Sequence, residues 1–222
     1  MNLPIIETPL NETEAAQSKA KAWARWLSSP MGNYLKRWEQ AALDAAVADI
    51  FGYHAVQLDN PELDGLSANR MPHRWHVQAL VPVASHHPDN AATPIPVDLV
   101  ADGSALPFEA ASLDLVVMPH TLELCLDPHA TLREVERVLM PEGRVVIIGF
   151  NPTSLCGLRQ RGSNARRYLG LGPSHSRFLP HDGELIAYRR LRDWLRLLSF
   201  EVESPHQKSW LPRSSTFWMA GS

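Results

Sequence analysis

Residues 97 to 152 read VDLVADGSALPFEAASLDLVVMPHTLELCLDPHATLREVERVLMPEGRVVIIGFNP, and the order of apolar runs and breaks within them decides the fold. VDLVA (97 to 101), LDLVVM (113 to 118) and RVVIIGF (144 to 150) are short, nearly continuous apolar runs, the composition that parallel strands covered on both faces require. Asp127 and Pro128 read as the capping residue and first-turn proline of a helix. Its buried stripe is Leu132, Val135, Val138 and Leu139. Pro141, Glu142 and Gly143 then turn the chain into the third run. Strands alternating with helices in this order make an α/β domain, whose ligands sit outside the carboxyl ends of the strands.

The same reading extends outward in both directions. Ser29 and Pro30 predict the start of a helix over MGNYLKRWEQAALDAAVADI, closed by Gly52, with Leu35, Trp38, Ala42, Ala46 and Ile50 on its apolar face. Tyr53 to Gln57 alternates as a strand, HRWHVQALVPV (73 to 83) has strand composition, and SHHPDNAATPIP is a loop broken by three prolines. Near the end, YRRLRDWLRLL (188 to 198) puts Leu191, Trp194, Leu195 and Leu198 on one helical face, and FEVES follows as a strand. The expected division is a tail and helix over 1–28 and one domain over 29–222.

Composition bounds the function only loosely. At 222 residues and 45% hydrophobic, the chain can bury a full core. A formal charge of −3 and a pI near 6.4 give no overall attraction to polyanions. Cys125 and Cys156 lack CxxC spacing, there is no secretory leader, and no apolar run reaches the roughly 18 residues of a membrane helix. A soluble cytoplasmic protein with reduced thiols and no membrane contact is the expectation.

The quoted stretch resembles the class I S-adenosylmethionine-dependent methyltransferases, in the branch with an acidic residue plus LPF after the third strand. A helix ending in Phe51-Gly52, an LQL-like first strand and the GFNP stretch extend the likeness to a bacterial subgroup of methyltransferase type 11, over roughly residues 26 to 202. The resemblance implies a three-layer Rossmann-like α/β fold with an N-terminal helical addition and a seventh strand that is short or missing; STFWMA is the only stretch that could supply it. It implies S-adenosylmethionine as cofactor and an unidentified methyl acceptor. Asp102, with Gly103, Ser104 and Ala105, matches the adenine-binding positions. His120, after the fourth strand, matches the methyl-transfer region, as a cofactor contact and as a base for the acceptor.

The first half departs from the family. Where members carry a Gly-x-Gly loop that lets bare backbone approach the cofactor, this chain reads QLDNPELDG over residues 57 to 65. Pro61 removes an amide, and no acid closes the second strand to hold the ribose. Asp59 could pair with the cofactor's ammonium, giving a loop rebuilt in other residue types. The alternative is a catalytically inactive member of the fold, serving as a binding or regulatory module. A dehydrogenase lacks its GxGxxG fingerprint here.

Each candidate residue has a plainer reading. Asp102 could merely cap a turn, Asp59 could be a turn residue, and His120 a polar loop residue. Asp114, inside an apolar strand, is expected to bond loop amides. His73, His76, His86 and His87 lack the spacing of metal ligands, so no metal is expected. Asn151 and Arg159 are candidates for substrate binding, and the run from Arg159 to Arg167 could meet nucleic acid phosphate or be a solvated loop. Trp23, Trp26, Tyr34 and Trp38 could form an aromatic lid or simply pack the N-terminal helix.

Overall fold

Seven strands form one sheet in the order β3-β2-β1-β4-β5-β7-β6. The computed structural model describes residues 22–23, 25–78, 95–150 and 186–202, and the backbone of 215–221. The strands are β1 (His54–Leu58), β2 (His73–Gln78), β3 (Leu99–Val100), β4 (Leu113–Pro119), β5 (Leu139–Phe150), β6 (Glu201–Val202) and β7 (Ser215–Gly221). β1 to β5 are mutually parallel where they pair, and β7 runs antiparallel between β5 and β6. Strand order reverses between β1 and β4, so the crevice at their carboxyl ends is the topological switch point where an open α/β sheet binds ligands.

Alternation along the strands sorts the core onto two faces. Val56, Leu58, Val116, Met118, Val145 and Ile147 face one side, where α2 (Pro128–Val138) and α3 (Tyr188–Leu197) supply Leu132, Val135, Leu191 and Leu195. Ala55, Leu115, Val117, Val146 and Ile148 face the other, against Leu43 and Val47 of α1 (Pro30–Val47) and the loop residues Leu63, Leu66 and Met71. Both predicted caps form. The Ser29 hydroxyl accepts from Gly32 N–H, and the Asp127 carboxylate accepts from His129 and Ala130 N–H.

Three expectations need correction. The seventh strand is present, seven residues long, and pairs with β5 from Ser215↔Phe150 to Gly221↔Arg144, so the sheet edge beside β5 is not bare. α1 ends at Val47, and its buried stripe is Leu35, Glu39, Leu43 and Val47, with Trp38, Ala42 and Ala46 only flanking it. Gly52 therefore does not close the helix. It makes room for Asp114, whose Cγ and Cβ a side chain at Gly52 would overlap, and the Asp114 carboxylate accepts from Tyr53 and His54 N–H at 2.9 Å each. The Pro-Glu-Gly turn becomes a bulge inside β5. Register jumps from Leu113↔Leu139 to Leu115↔Arg144, with Glu142 at φ 68°.

Residues 22–23 and 25–27 are helical ahead of Ser29, and Trp23 and Leu27 join a third cluster with Leu35 and Phe150. Trp26 and Trp38 pack beside it, whereas Tyr34 is exposed. No helix among the described residues is long and apolar enough to cross a membrane.

Candidate active site

The loop after β1 keeps a glycine-like backbone without the glycines. Asp59 and Asn60 stand at φ 57° and 47°, the left-handed region that Asp and Asn tolerate better than other side chains. Asp59 N–H donates to Val77 O at 2.7 Å, continuing the β1-β2 ladder into the turn. The buried Gln57 side chain ties the rest together. Its Nε2 donates to Leu63 O at 2.7 Å and to Asp59 O and Asn60 O at 3.3 Å, and its Oε1 accepts from Gly65 N–H at 2.7 Å. Gly65 admits this close approach, because a Cβ there would lie 2.7 Å from Val117 Cγ1 and 3.0 Å from Gln57 Oε1.

The turn after β3 is built locally and lies exposed. Asp102 Oδ1 accepts from both the N–H and the hydroxyl of Ser104 at 2.9 Å, and Ala105 N–H donates to Asp102 O. Capping of this turn by Asp102 is thus present, on one of its two carboxylate oxygens. A Cβ at Gly103 would rest against Thr131 of α2 at 3.4 Å. The following LPF has a mechanical role: Leu106 is buried in the first core, and Phe108 packs on Trp75 at 5.7 Å between rings. Glu134 of α2 accepts from Leu106 N–H, and Arg137, paired with Glu134, donates to Leu106 O and Phe108 O.

His120 lies at the end of β4 with left-handed backbone, φ 59°, fully buried. Its Nδ1 meets Glu123 Oε2 at 2.8 Å and its Nε2 meets Glu39 Oε1 at 3.1 Å. Burial by itself lowers the imidazole. The Glu39 charge and the hydrogen bonds to Glu123 and Glu39 outweigh it and raise the group to about 10. The ring is therefore an imidazolium donating at both nitrogens. Glu123 Oε1 also accepts from Phe150 N–H, and His120 N–H donates to Ile148 O, so one side-chain cluster joins α1, β4 and β5. The Trp23 and Phe150 rings cover it, at 4.8 and 4.5 Å from the imidazole.

Two atoms beside this cluster are buried without a hydrogen-bond partner among the described residues, Glu39 Oε2 and Asn60 Nδ2. Asn60 Oδ1 accepts from Trp23 Nε1 at 3.3 Å. Trp23 thus bridges the β1 loop to the histidine cluster.

Of the residues expected at the site, Asp59, Asp102, Gly103, Ser104, Ala105 and His120 all stand at the carboxyl ends of β1, β3 and β4. Thr121, beside His120, donates its hydroxyl to Leu58 O at 2.7 Å and ties the ends of β1 and β4. Burial pushes the Cys125 thiol up to about 11, with the nearby charges of Asp59 and Asp127 adding to that effect, so it is no nucleophile. Asn151 and Arg159, the run to Arg167, Cys156, His86 and His87 lie outside the described residues. Among those described, no group of His, Cys, Asp and Glu could hold a metal ion. Sequence reasoning missed Gln57, Glu39, Asn60 and Glu123. Two signals were present: a glutamate at i+4 spacing between Leu35 and Leu43, and a His-x-x-Glu pair at 120 and 123.

Comparison with known proteins places this arrangement. Residues 78–147 match the methyltransferase domain family, a match that begins at the last residue of β2. A methyltransferase of Thermotoga maritima, described as a possible histamine N-methyltransferase, superposes with a TM-score of 0.62 at 14% identity, over 94% of this chain and 99% of that one. Magnesium protoporphyrin IX methyltransferase of Synechocystis, solved with S-adenosylhomocysteine bound, does so at 0.59 and 13%, over 90% and 92%. The fold is that of the class I S-adenosylmethionine-dependent methyltransferases.

Among individual relatives, YafS of Escherichia coli is 33% identical over 177 residues, which is 80% of this chain and 65% of YafS. The demethylmenaquinone methyltransferase of Chlamydia pneumoniae is 35% identical over 75 residues, 33% of this chain and 31% of that protein. The chain thus spans just under two thirds of YafS and about a third of the demethylmenaquinone methyltransferase.

Proposed function

We propose that this chain transfers a methyl group from S-adenosylmethionine to a small or macromolecular acceptor in the cytoplasm. The observation that carries the reading is the β1 loop, where Asp59 and Asn60 hold left-handed backbone and Gly65 gives room for the Gln57 side chain that braces the loop. Left-handed backbone at Asp59 and Asn60 supports a loop rebuilt in other residue types over an inactive scaffold. The acidic rim also suits the group: Asp59 and Asp102 face a cofactor that carries a sulfonium and an ammonium.

When bound, that cofactor supplies an activated methyl group open to in-line attack. The chain's part is then orientation and exclusion of water. Asp102, with Oδ1 committed to Ser104, would hold the adenine amino group through its other carboxylate oxygen, together with the backbone of Gly103 to Ala105. Asp59 would offset the cofactor's positive charge. His120 enters as a positioning residue and not as a base, because both of its nitrogens already donate to carboxylates. It holds α1 and the covering Trp23 against β4 and β5.

Calorimetric titration of the full chain with S-adenosylmethionine tests this. Micromolar binding is expected, weakened about tenfold to hundredfold by Asp102→Ala, the loss of one charge-assisted hydrogen bond. Absence of binding up to millimolar in folded protein would contradict the proposal.

A further inference from the structure

A buried acceptor without a donor and a buried donor without an acceptor each cost free energy, so native proteins keep few of them. Among the described residues this chain has one on Asn60, which bonds Trp23, and one on Glu39, which bonds the histidine that Trp23 covers. Glu39 shares Oε1 with His120 and leaves Oε2 buried, with no partner among the described residues. Asn60 gives Oδ1 to Trp23, whose indole can only donate, so the amide orientation is settled and Nδ2 is the remaining donor. The Trp23 ring also lies 4.8 Å from the imidazole that Glu39 contacts.

The acidic neighbours point the same way. Two acidic side chains, Glu39 and Glu123, flank one histidine in a site where Glu39 and His120 are both fully buried. A buried carboxylate needs a counter-ion or strong hydrogen bonds, and a cation reaching Glu39 Oε2 would supply both.

We infer that Glu39 Oε2 and Asn60 Nδ2 together hold the amino-acid end of the cofactor, the glutamate accepting from its ammonium and the asparagine donating to its carboxylate. This rests on the methyltransferase reading and assigns that grip to two side chains. The β1 loop gives the physical reason: Pro61 has no amide to offer, and the Gln57 amide already occupies the carbonyl oxygens of Asp59, Asn60 and Leu63. The ammonium has three N–H groups, so Asp59 can accept another. Entry requires Trp23 to part from Asn60, and the 3.3 Å bond between them is the longest in this cluster.

The test compares S-adenosylhomocysteine with 5′-methylthioadenosine, which shares the adenosine and thioether but ends in a methyl group. The full chain is expected to bind the first more tightly. Glu39→Gln keeps an acceptor for His120 while turning an amide toward the ammonium, and Asn60→Asp keeps the Trp23 bond while opposing carboxylate to carboxylate. Each is expected to weaken S-adenosylhomocysteine about tenfold to hundredfold and methylthioadenosine by less than about twofold. Equal weakening of both ligands, or of neither, in folded variants would overturn the side-chain grip while leaving the methyltransferase reading in place. Failure of the unaltered chain to bind either ligand would overturn that reading and the grip with it.

Discussion

The two loops that frame the candidate site are held in opposite ways. The turn after β3 is exposed and closes on itself through Asp102 and Ser104, two residues apart. The loop after β1 is largely buried and is held by side chains outside the turn itself: Gln57 spans eight residues to Gly65, Gln40 of α1 bonds Asp64, and Trp23 reaches Asn60 across 37. A self-bonded turn can be read from a tetrapeptide. A loop held by its surroundings leaves no such trace. The contrast also predicts where substitutions hurt, since a local exposed bond is easily replaced by water and a buried one is not.

The largest effect is expected at the histidine cluster. His120→Ala strips the fully buried Glu39 and the partly buried Glu123 of their shared partner and should cost about 3–5 kcal/mol in chemical denaturation. A cost under about 1 kcal/mol would mean the cluster is not the keystone of the buried loop. The same cluster sets a pH dependence. The imidazole is raised in the folded chain above its unfolded value near 6.5, so its stabilisation is complete below that pH and is lost as pH rises through about 10. The thermal midpoint should fall from pH 7 to pH 10, and His120→Gln should flatten that slope relative to the unaltered protein.

Next comes the loop's internal brace. Gln57→Leu leaves Leu63 O and Gly65 N–H buried without their 2.7 Å partners, and about 2 kcal/mol of stability should go with them. The smallest effect belongs to the exposed turn, where Ser104→Ala should change stability by less than about 0.5 kcal/mol. If the two changes cost the same, the distinction between the loops fails.

The legibility of this chain follows the same divide. Strand runs, the Ser29 and Asp127 caps, and the bonding of Asp114 to the amides before β1 were readable, because each rests on a local pattern or on the cost of burying a lone carboxylate. Glu39 was not, since a carboxylate within an apolar stripe reads as an interruption until a distant histidine is seen beside it. The extent of β7 was equally hidden: a strand that pairs antiparallel along β5 is defined by its partner more than by its own seven residues. The bonding of His120 was hidden for a related reason. A histidine's proton is set by its neighbours, and both lie on other turns or elements.

Hydrogen exchange of the full chain with and without S-adenosylhomocysteine tests the central claim most directly, by following peptides over residues 57–65 and 102–105 in one experiment. If the β1 loop is a cofactor loop rebuilt around Gln57, both segments gain protection together. Protection at 102–105 alone, or at neither, would contradict the account.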